Sequence, residues 1–333
     1  MTESKDALTG VNLRPFAGAA ADVAETVRIV NAELAADGQP NRASLEGRAA
    51  YWRHPSEMFD SARDVTIAEL DGRIVGYGIR EWSDTSDGKR AYEVNGAVDP
   101  AFRRRGVGAA LLAENERRQR ALAQTHTTDR PKVLDSWAGD GQAGDIALLE
   151  KNGFAIVRWF FEMVRPNLDD VPEVPLPTGL EIRPIDSDER VHAVWRADVE
   201  AFRDHWGGFD DSDEALQRYL ESPNHDPSLW LVAFDGDEVA GGIINGIERE
   251  ENAALGVQRG WLHSVFTRRP WRKRGLASAL ISRSLVLLRE RGMTSAILGV
   301  DAENPTGALG LYERAGFVTG YRSMAWRKPL DEA

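Results

Sequence analysis

With 333 residues, 42% of them hydrophobic, the chain exceeds one ordinary domain and predicts about two. Its formal charge of −12 argues against a nucleic-acid partner, whose phosphates need a basic face, and the absence of cysteine excludes disulfides, thiolate metal sites and a cysteine nucleophile, so no metal is expected. No stretch approaches the ~20 apolar residues of a membrane span and the opening residues 1–6 lack a signal-peptide pattern, so a cytoplasmic protein with no membrane partner is expected.

In chain order, Asn12-Leu13-Arg14-Pro15 precedes a helical pattern from Val23 to Leu34. Ile67 to Gly78 reads as a β-hairpin turning at Asp71-Gly72, a strong short-range hairpin signal. A basic glycine turn follows, Arg103-Arg104-Arg105-Gly106-Val107-Gly108, and later Asn152-Gly153-Phe154. Residues 166–179 carry four prolines and three acids, the composition of an extended, semi-rigid linker.

The landmarks then recur. Glu181-Ile182-Arg183-Pro184 precedes a helical pattern from Val191 to Phe202, a hairpin from Leu231 to Gly242 turns at Asp235-Gly236, and Arg272-Lys273-Arg274-Gly275-Leu276-Ala277 and Ala315-Gly316-Phe317 follow. The offsets are 169 for Arg14/Arg183 and Arg103/Arg272 and 163 for Gly153/Gly316, which marks a duplicated domain rather than a short-period solenoid. The expected division is residues 1–165, a proline-rich linker 166–179, and residues 180–333. Each copy reads as an α/β domain with a mixed sheet.

After the strand ending near Thr267, Gly275 and Ala277 open a helix whose apolar positions Leu276, Leu280, Ile281, Leu285 and Leu288 share one face. A helix N-terminus after a small-residue turn presents unpaired N–H groups and a positive dipole end, a site for phosphate. Arg272, Lys273 and Arg274 add charge there. Neither turn continues into the Lys-Ser or Lys-Thr of a nucleotide triphosphate loop, and Gly106 to Leu111 lacks the third glycine of a dinucleotide fingerprint.

The pairs Arg103-x-x-Gly106-x-Gly108 and Arg272-x-x-Gly275-x-Ala277 resemble the acyl-coenzyme A pyrophosphate loop of the GNAT superfamily of N-acetyltransferases. The resemblance covers nearly the whole chain as two tandem copies, an arrangement similar to mycothiol synthase-like actinobacterial proteins. It implies two GNAT-like domains, each a mixed, mostly antiparallel twisted sheet flanked by helices, with acetyl-CoA as co-substrate. It also implies coenzyme A contacts from Val265, Phe266 and Thr267, from Arg272 to Ala277, and from Arg103, Arg104, Arg105, Gly106, Val107 and Gly108.

The copies are unequal. In the second, Asn304-Pro305 suits a helix start, with asparagine as cap and proline in the first turn. Tyr312 lies roughly 12 Å farther along that helix, a span that suits a pantetheine arm. The resemblance implies that Asn304 meets the arm and that Tyr312 protonates the leaving thiolate. Aligning Gly153 with Gly316 places Leu149 at the tyrosine position and Gly141 at the asparagine position, and leucine has no proton to give. The first copy therefore reads as degenerate and the second as catalytic.

An attacking amine needs a proton acceptor. His263, on the strand before the second loop and sharing parity with Val265 and Thr267, is the candidate, and Val94 replaces it in the first copy. The resemblance implies a histidine pair on this strand, whose companion position here is Trp261, and a backbone N–H near Val265 or Phe266 that polarises the thioester. The acceptor is expected near Phe202 to Asp211, with His205 and Trp206 as its binding residues; Asp211 and Glu214 also fit a helix-capping pattern. These features predict acetyl transfer to a primary amine of a small molecule by direct attack. A non-catalytic acyl-CoA sensor and an aminoacyl-tRNA-dependent transferase are the alternatives.

Overall fold

The repeated landmarks fold into repeated elements. The computed structural model describes residues 10–203, 205–207, 211–304 and 307–330. The first half runs β1 (Asn12–Pro15), α1 (Ala20–Ala36), α2 (Leu45–Arg53), α3 (Ser61–Asp64), β2 (Val65–Leu70), β3 (Arg73–Asp84), β4 (Arg90–Val98), α4 (Val107–Thr125), β5 (Lys132–Gly139), α5 (Ala143–Lys151) and β6 (Ala155–Arg165). The second runs β7 (Glu181–Arg183), α6 (Asp188–Phe202), α7 (Asp213–Leu220), β8 (Leu231–Asp235), β9 (Glu238–Gly246), α8 (Arg249–Leu255), β10 (Arg259–Thr267), α9 (Leu276–Glu290), β11 (Ser295–Asp301), α10 (Ala308–Arg314) and β12 (Val318–Pro329).

Local chemistry accounts for these elements. The first hairpin turns at Asp71 and Gly72, both with positive φ (51° and 73°), the combination that matches strand twist. Helix α6 starts where the Ser187 hydroxyl accepts the Arg190 N–H, with Asp188 and Glu189 in its first turn against the helix dipole. Its Val191, Val194, Ala197 and Ala201 then bury one stripe against Val232, Phe234, Ile244 and Phe266 of the sheet.

Two compact units result, one formed by residues up to Val157 together with those from Met324, the other by Arg158–Ser323. Strand order in the first is β1-β2-β3-β4-β5, followed by the Met324–Pro329 part of β12; in the second it is β7-β8-β9-β10-β11, followed by the Arg158–Arg165 part of β6. Each unit is thus completed by a strand from the other half of the sequence. In the first unit Arg327 and Asp135, both buried, are joined by two hydrogen bonds of 2.8 Å; breaking such a pair costs about 3–5 kcal/mol, which holds the added strand in place. In the second, β6 pairs antiparallel with β11 from Phe160↔Asp301 to Arg165↔Ala296.

The segment 166–179 lies inside the second unit, along α9. Its Leu168 is 1% exposed, worth roughly 1.5–3 kcal/mol of burial, and Val171 and Leu176 pack on the same core. Being extended, it has carbonyls to spare: Pro172 accepts from Ser282 (2.6 Å) and Val174 from Arg283 (2.7 Å).

In both units the central parallel pair stops early. β4 pairs with β5 only over Arg90–Glu93 and Lys132–Asp135, and β10 with β11 only over Arg259–Trp261 and Ser295–Ile297. Beyond those residues the strands run on without each other, and the backbone groups facing the gap need other partners.

Candidate active site

The two glycine turns share one backbone conformation. Lys273 and Gly275 have φ of 61° and 85°, and Arg104 and Gly106 have 62° and 82°. Two of the three non-glycine residues with positive φ among the described residues are thus these loop residues, each held at about 1–3 kcal/mol of strain. Left-handed residues in such a turn aim successive N–H groups into one concavity, an anion nest, and here it opens at the N-terminus of α9 or α4. Arg272 is steadied by backbone: its guanidinium donates to the carbonyls of Thr267 (2.9 Å) and Ala201 (3.3 Å).

β10 carries a bulge. Its register on β9 shifts between Leu262 and Ser264, which leaves His263 as the extra residue. The parity expected for His263, Val265 and Thr267 is therefore broken. Leu262 and Val265, three apart, pack in one core, while Phe266 packs in the other with α6. His263 instead lies on the side of Trp261, ring on ring at 5.4 Å and 3°. Its Nε2 is 2.9 Å from Glu248, and the Trp261 Nε1–H donates to Glu251 (2.8 Å). Gly246 leaves room for this, because a Cβ there would overlap the His263 ring. β4 pairs with β3 through nine residues without a shift, so the bulge belongs to the second copy alone.

The adjacent Ser264 hydroxyl donates to Asp198 on α6 at 2.6 Å. Burial pushes that carboxyl up to about 6, with the Ser264 bond pulling the other way. Sequence reading passed over Asp198, Ser264 and Glu248. Their meeting depends on the bulge, whose only sequence trace is a polar pair, His263-Ser264, inside an otherwise apolar strand.

Tyr312 is 6% exposed, and burial pushes its phenol up to about 12. Its place in the repeat is fixed by backbone bonding: Phe317 N–H donates to Tyr312 O (3.0 Å) as Phe154 N–H donates to Leu149 O (3.1 Å). The leucine and the tyrosine are true counterparts. Asn304 is not the helix cap. α10 begins at Ala308 behind Gly307, and Asn304 stands in the preceding turn, its N–H donating to Asp301 O (3.1 Å) and its carbonyl accepting from Gly307 (3.2 Å). Pro305 lies outside the described residues.

The acceptor-side residues have separate neighbours. His205 packs on Phe202 at 4.2 Å, and Trp206 on Phe160 at 5.7 Å beneath the Arg158 guanidinium. Asp204 and 208–210 lie outside the described residues. The cap of α7 is Ser212, accepting from Ala215 N–H (3.1 Å), not Asp211; the hydroxyl sits one residue nearer the first turn.

The first copy fills its own gap. α1 runs about one turn farther than α6 and ends over the loop. Asp37 holds Arg103 through two bonds (2.7 and 2.6 Å), Glu33 lies 3.4 Å from the same guanidinium, and the Glu33 carboxylate accepts the Val98 N–H (3.2 Å). A Cβ on Gly141 would overlap the Asp37 carbonyl oxygen. Farther in, the Asn95 side-chain oxygen Oδ1 bridges to β5 by accepting the Trp137 N–H (3.1 Å). Carboxylate oxygens of Glu33, Asp37 and Asp145 come within 4.8 Å of one another; burial and then Asp145 push Glu33 up to about 8, and burial pushes Asp145 up to about 6. The remaining cavity is about 70 Å³, against ~300–1,000 Å³ for ordinary ligand pockets.

Comparison with known proteins agrees with this geometry. The acetyltransferase (GNAT) family pattern matches residues 191–317, and a GNAT acetyltransferase domain pattern matches residues 61–156. A mycothiol acetyltransferase of Geodermatophilus obscurus is 30% identical over 313 residues, covering 92% of this chain and 94% of that one. The chain belongs to the GNAT acetyltransferase family. A second mycothiol acetyltransferase, from Streptomyces bingchenggensis, is 28% identical over 91% of this GNAT chain and 92% of its own. Among solved structures, a GCN5-related N-acetyltransferase from Sphaerobacter thermophilus is 27% identical with a TM-score of 0.69, covering 96% of each chain. A tandem GNAT protein of the clavulanic acid pathway, 17% identical, shares the fold with a TM-score of 0.72 over 97% of this chain and 99% of that one. This protein is accordingly an N-acetyltransferase with two GNAT domains. Among the described residues no helix is long and apolar enough to cross a membrane.

Proposed function

We propose that this GNAT enzyme transfers acetyl from acetyl-CoA to the primary amine of a small molecule by direct attack, in the cytoplasm, with the chemistry in its second copy. The observation that carries the reading is the concentration in that copy of the nest at Arg272–Ala277, the bulged strand with His263, and Tyr312 on α10. The first-copy loop Arg103–Gly108 has the same backbone form, but Asp37 and Glu33 compete for it, so it is proposed as a much weaker phosphate site. The name of the relatives, mycothiol acetyltransferase, makes a mycothiol-type acceptor the first to try.

In this reading the N–H groups of Lys273 to Ala277 hold the pyrophosphate, Asn304 meets the pantetheine arm, and the strand at Val265, Phe266 and Thr267 lines the thioester. His205 and Trp206 stand on the acceptor side. His263, steadied by Glu248 and by stacking on Trp261, takes a proton from the amine. Tyr312, a phenol neutral near pH 7 and pushed further up by burial, donates its proton to the departing thiolate and recovers one from the nitrogen as the amide forms. Much of the rate comes from holding amine and thioester in line. Isothermal titration is the test: acetyl-CoA should bind the wild-type chain and fail to bind Arg272→Ala and Gly275→Glu, while Tyr312→Phe binds but turns over about 100-fold more slowly. Wild-type affinity in both loop variants would overturn the site, and full turnover by Tyr312→Phe would remove its role.

A further inference from the structure

Asp198 is a carboxylate set among apolar neighbours without a cation. It lies on the sheet-facing side of α6, between the buried residues Val194, Ala197 and Ala201, and it accepts a hydrogen bond from the Ser264 hydroxyl at 2.6 Å. Among the described residues no arginine, lysine or histidine pairs with it. The other carboxylates nearby are satisfied: Glu200 pairs with Arg268 (2.8 Å), Glu251 with Arg259 (2.9 Å), and Glu248 with His263 (2.9 Å). Asp198 is partly exposed, so a ligand can reach it, and a carboxylate among apolar neighbours is favoured further by a partner of opposite charge.

Aromatic rings flank it. On α6, Trp195 and Phe202 stand three residues before and four after Asp198, so all three share one stripe. Trp195 packs on Tyr219 at 5.0 Å and Phe202 on His205 at 4.2 Å. Ring faces beside a lone carboxylate suit an organic ammonium ion, attracted by the charge on one side and the π-faces on the other. Ser264, which orients the carboxylate, follows His263 on the bulge, so the carboxylate is tied to the same stretch of strand as the group assigned to take the proton.

We propose that Asp198 is the anchor for the ammonium group of the acceptor, and that it restricts this enzyme to acceptors that arrive as cations. This rests on the acetyltransferase reading above and adds the charge class of its substrate. The ammonium forms an ion pair with Asp198, gives one proton to His263 and attacks as the free amine. No proton need pass to Asp198. The titratable side chain acting on this carboxylate from α7 is Tyr219, whose phenol burial and the Asp198 charge both push up; on β10 the exposed His263 stacks on Trp261 and pairs with Glu248, and β9 carries only Glu238, at its start.

The experiment uses the full chain saturated with acetyl-CoA, with glucosamine, tyramine and alaninamide as probe amines and glucose and tyrosol as uncharged controls. Melting temperature and initial rates are read from pH 5 to 8. The amines should stabilise the wild-type protein and be acetylated while the controls do neither. Asp198→Asn should raise the amine KM about 100-fold, with acetyl-CoA affinity unchanged. Because the carboxylate must be ionised, the amine KM should rise as pH falls through about 6. Ser264→Ala, which removes the bond favouring the charged form, should move that rise to higher pH, a shift a purely structural role would not produce. The proposal is overturned if Asp198→Asn keeps the wild-type KM, if Ser264→Ala leaves the pH profile in place, or if the acetyl-CoA-bound wild type neither binds nor acetylates any of the amines. Failure of the wild type to bind acetyl-CoA would overturn the reading beneath it instead, and this proposal with it.

Discussion

Glu33→Gln isolates a large pH effect expected of the carboxylates around the first-copy loop. The Glu33 carboxyl accepts the Val98 N–H at 3.2 Å and is pushed up to about 8, first by burial and then by Asp145. In the unfolded chain it returns to about 4.3, so the folded state holds its proton more tightly across the window from about 4.3 to 8. A raised carboxyl pKa means that stability is fully present below this window and falls as pH rises through it. At ~1.4 kcal/mol per unit the shift corresponds to roughly 5 kcal/mol at most, and relaxation of Arg103 and water around the charge should reduce the observed loss to about 2 kcal/mol. Glutamine still accepts the Val98 N–H through its carbonyl oxygen but cannot ionise. Chemical denaturation at pH 5, 6.5 and 8.5, followed by tryptophan fluorescence, should show the wild-type protein losing stability while the variant loses less. Asp145 and Glu93, also raised by burial, keep a residual slope of the same sign. Parallel pH profiles for the two proteins would refute the argument.

Two further outcomes follow from close contacts. Gly246→Ala pushes the His263 ring off Trp261; turnover should drop toward that of His263→Ala with acetyl-CoA affinity intact, and unchanged turnover would show that the stacked position is unimportant. Titration of the whole chain with acetyl-CoA should give one tight equivalent, and Asp37→Ala combined with Glu33→Gln should strengthen a second; two equal sites in the wild-type chain would mean that the end of α1 does not obstruct the first loop.

Duplication was legible because it rests on backbone chemistry that residue type encodes directly. The Arg-Pro openings and the glycine at each helix start recur at one offset and fold as read, whereas the second hairpin turns one residue later than read, at Gly236 and Asp237, because Asp235 still pairs with Glu238. The strand that completes each unit was not legible: Arg158–Arg165 and Met324–Pro329 look like the last strands of their own copies, and only the register with β11 and the Arg327–Asp135 pair assigns them otherwise. The segment 166–179 misled through its prolines, while its Leu168 and Leu176 carried the contrary signal of burial. At the proposed site, the loop was placed by its strand-turn-helix pattern and Tyr312 by the family resemblance. His263 could be named but not aimed, because one inserted residue reverses strand alternation, and Asp198 is close to Ser264 only through that inversion.

The difference between the copies lies in small changes around an unchanged loop. Arg104 and Lys273 hold the same left-handed turn, so the loop backbone does not distinguish the copy proposed as catalytic from the other. What separates them is what surrounds it. In the first copy a longer α1 brings Asp37 onto Arg103, and Gly141, the counterpart of Asn304, leaves room for the Asp37 carbonyl. In the second, α6 ends at Phe202, and the Ala201 carbonyl accepts from Arg272 at 3.3 Å. An acidic side chain in the first copy therefore stands where a phosphate would, and its pairing with Arg103 reproduces the charge complementarity for which the loop is shaped. The carboxylates that pair with the loop compete with phosphate, so one longer helix, beside the Leu149/Tyr312 exchange and the β10 bulge, adds to the inequality of the two copies.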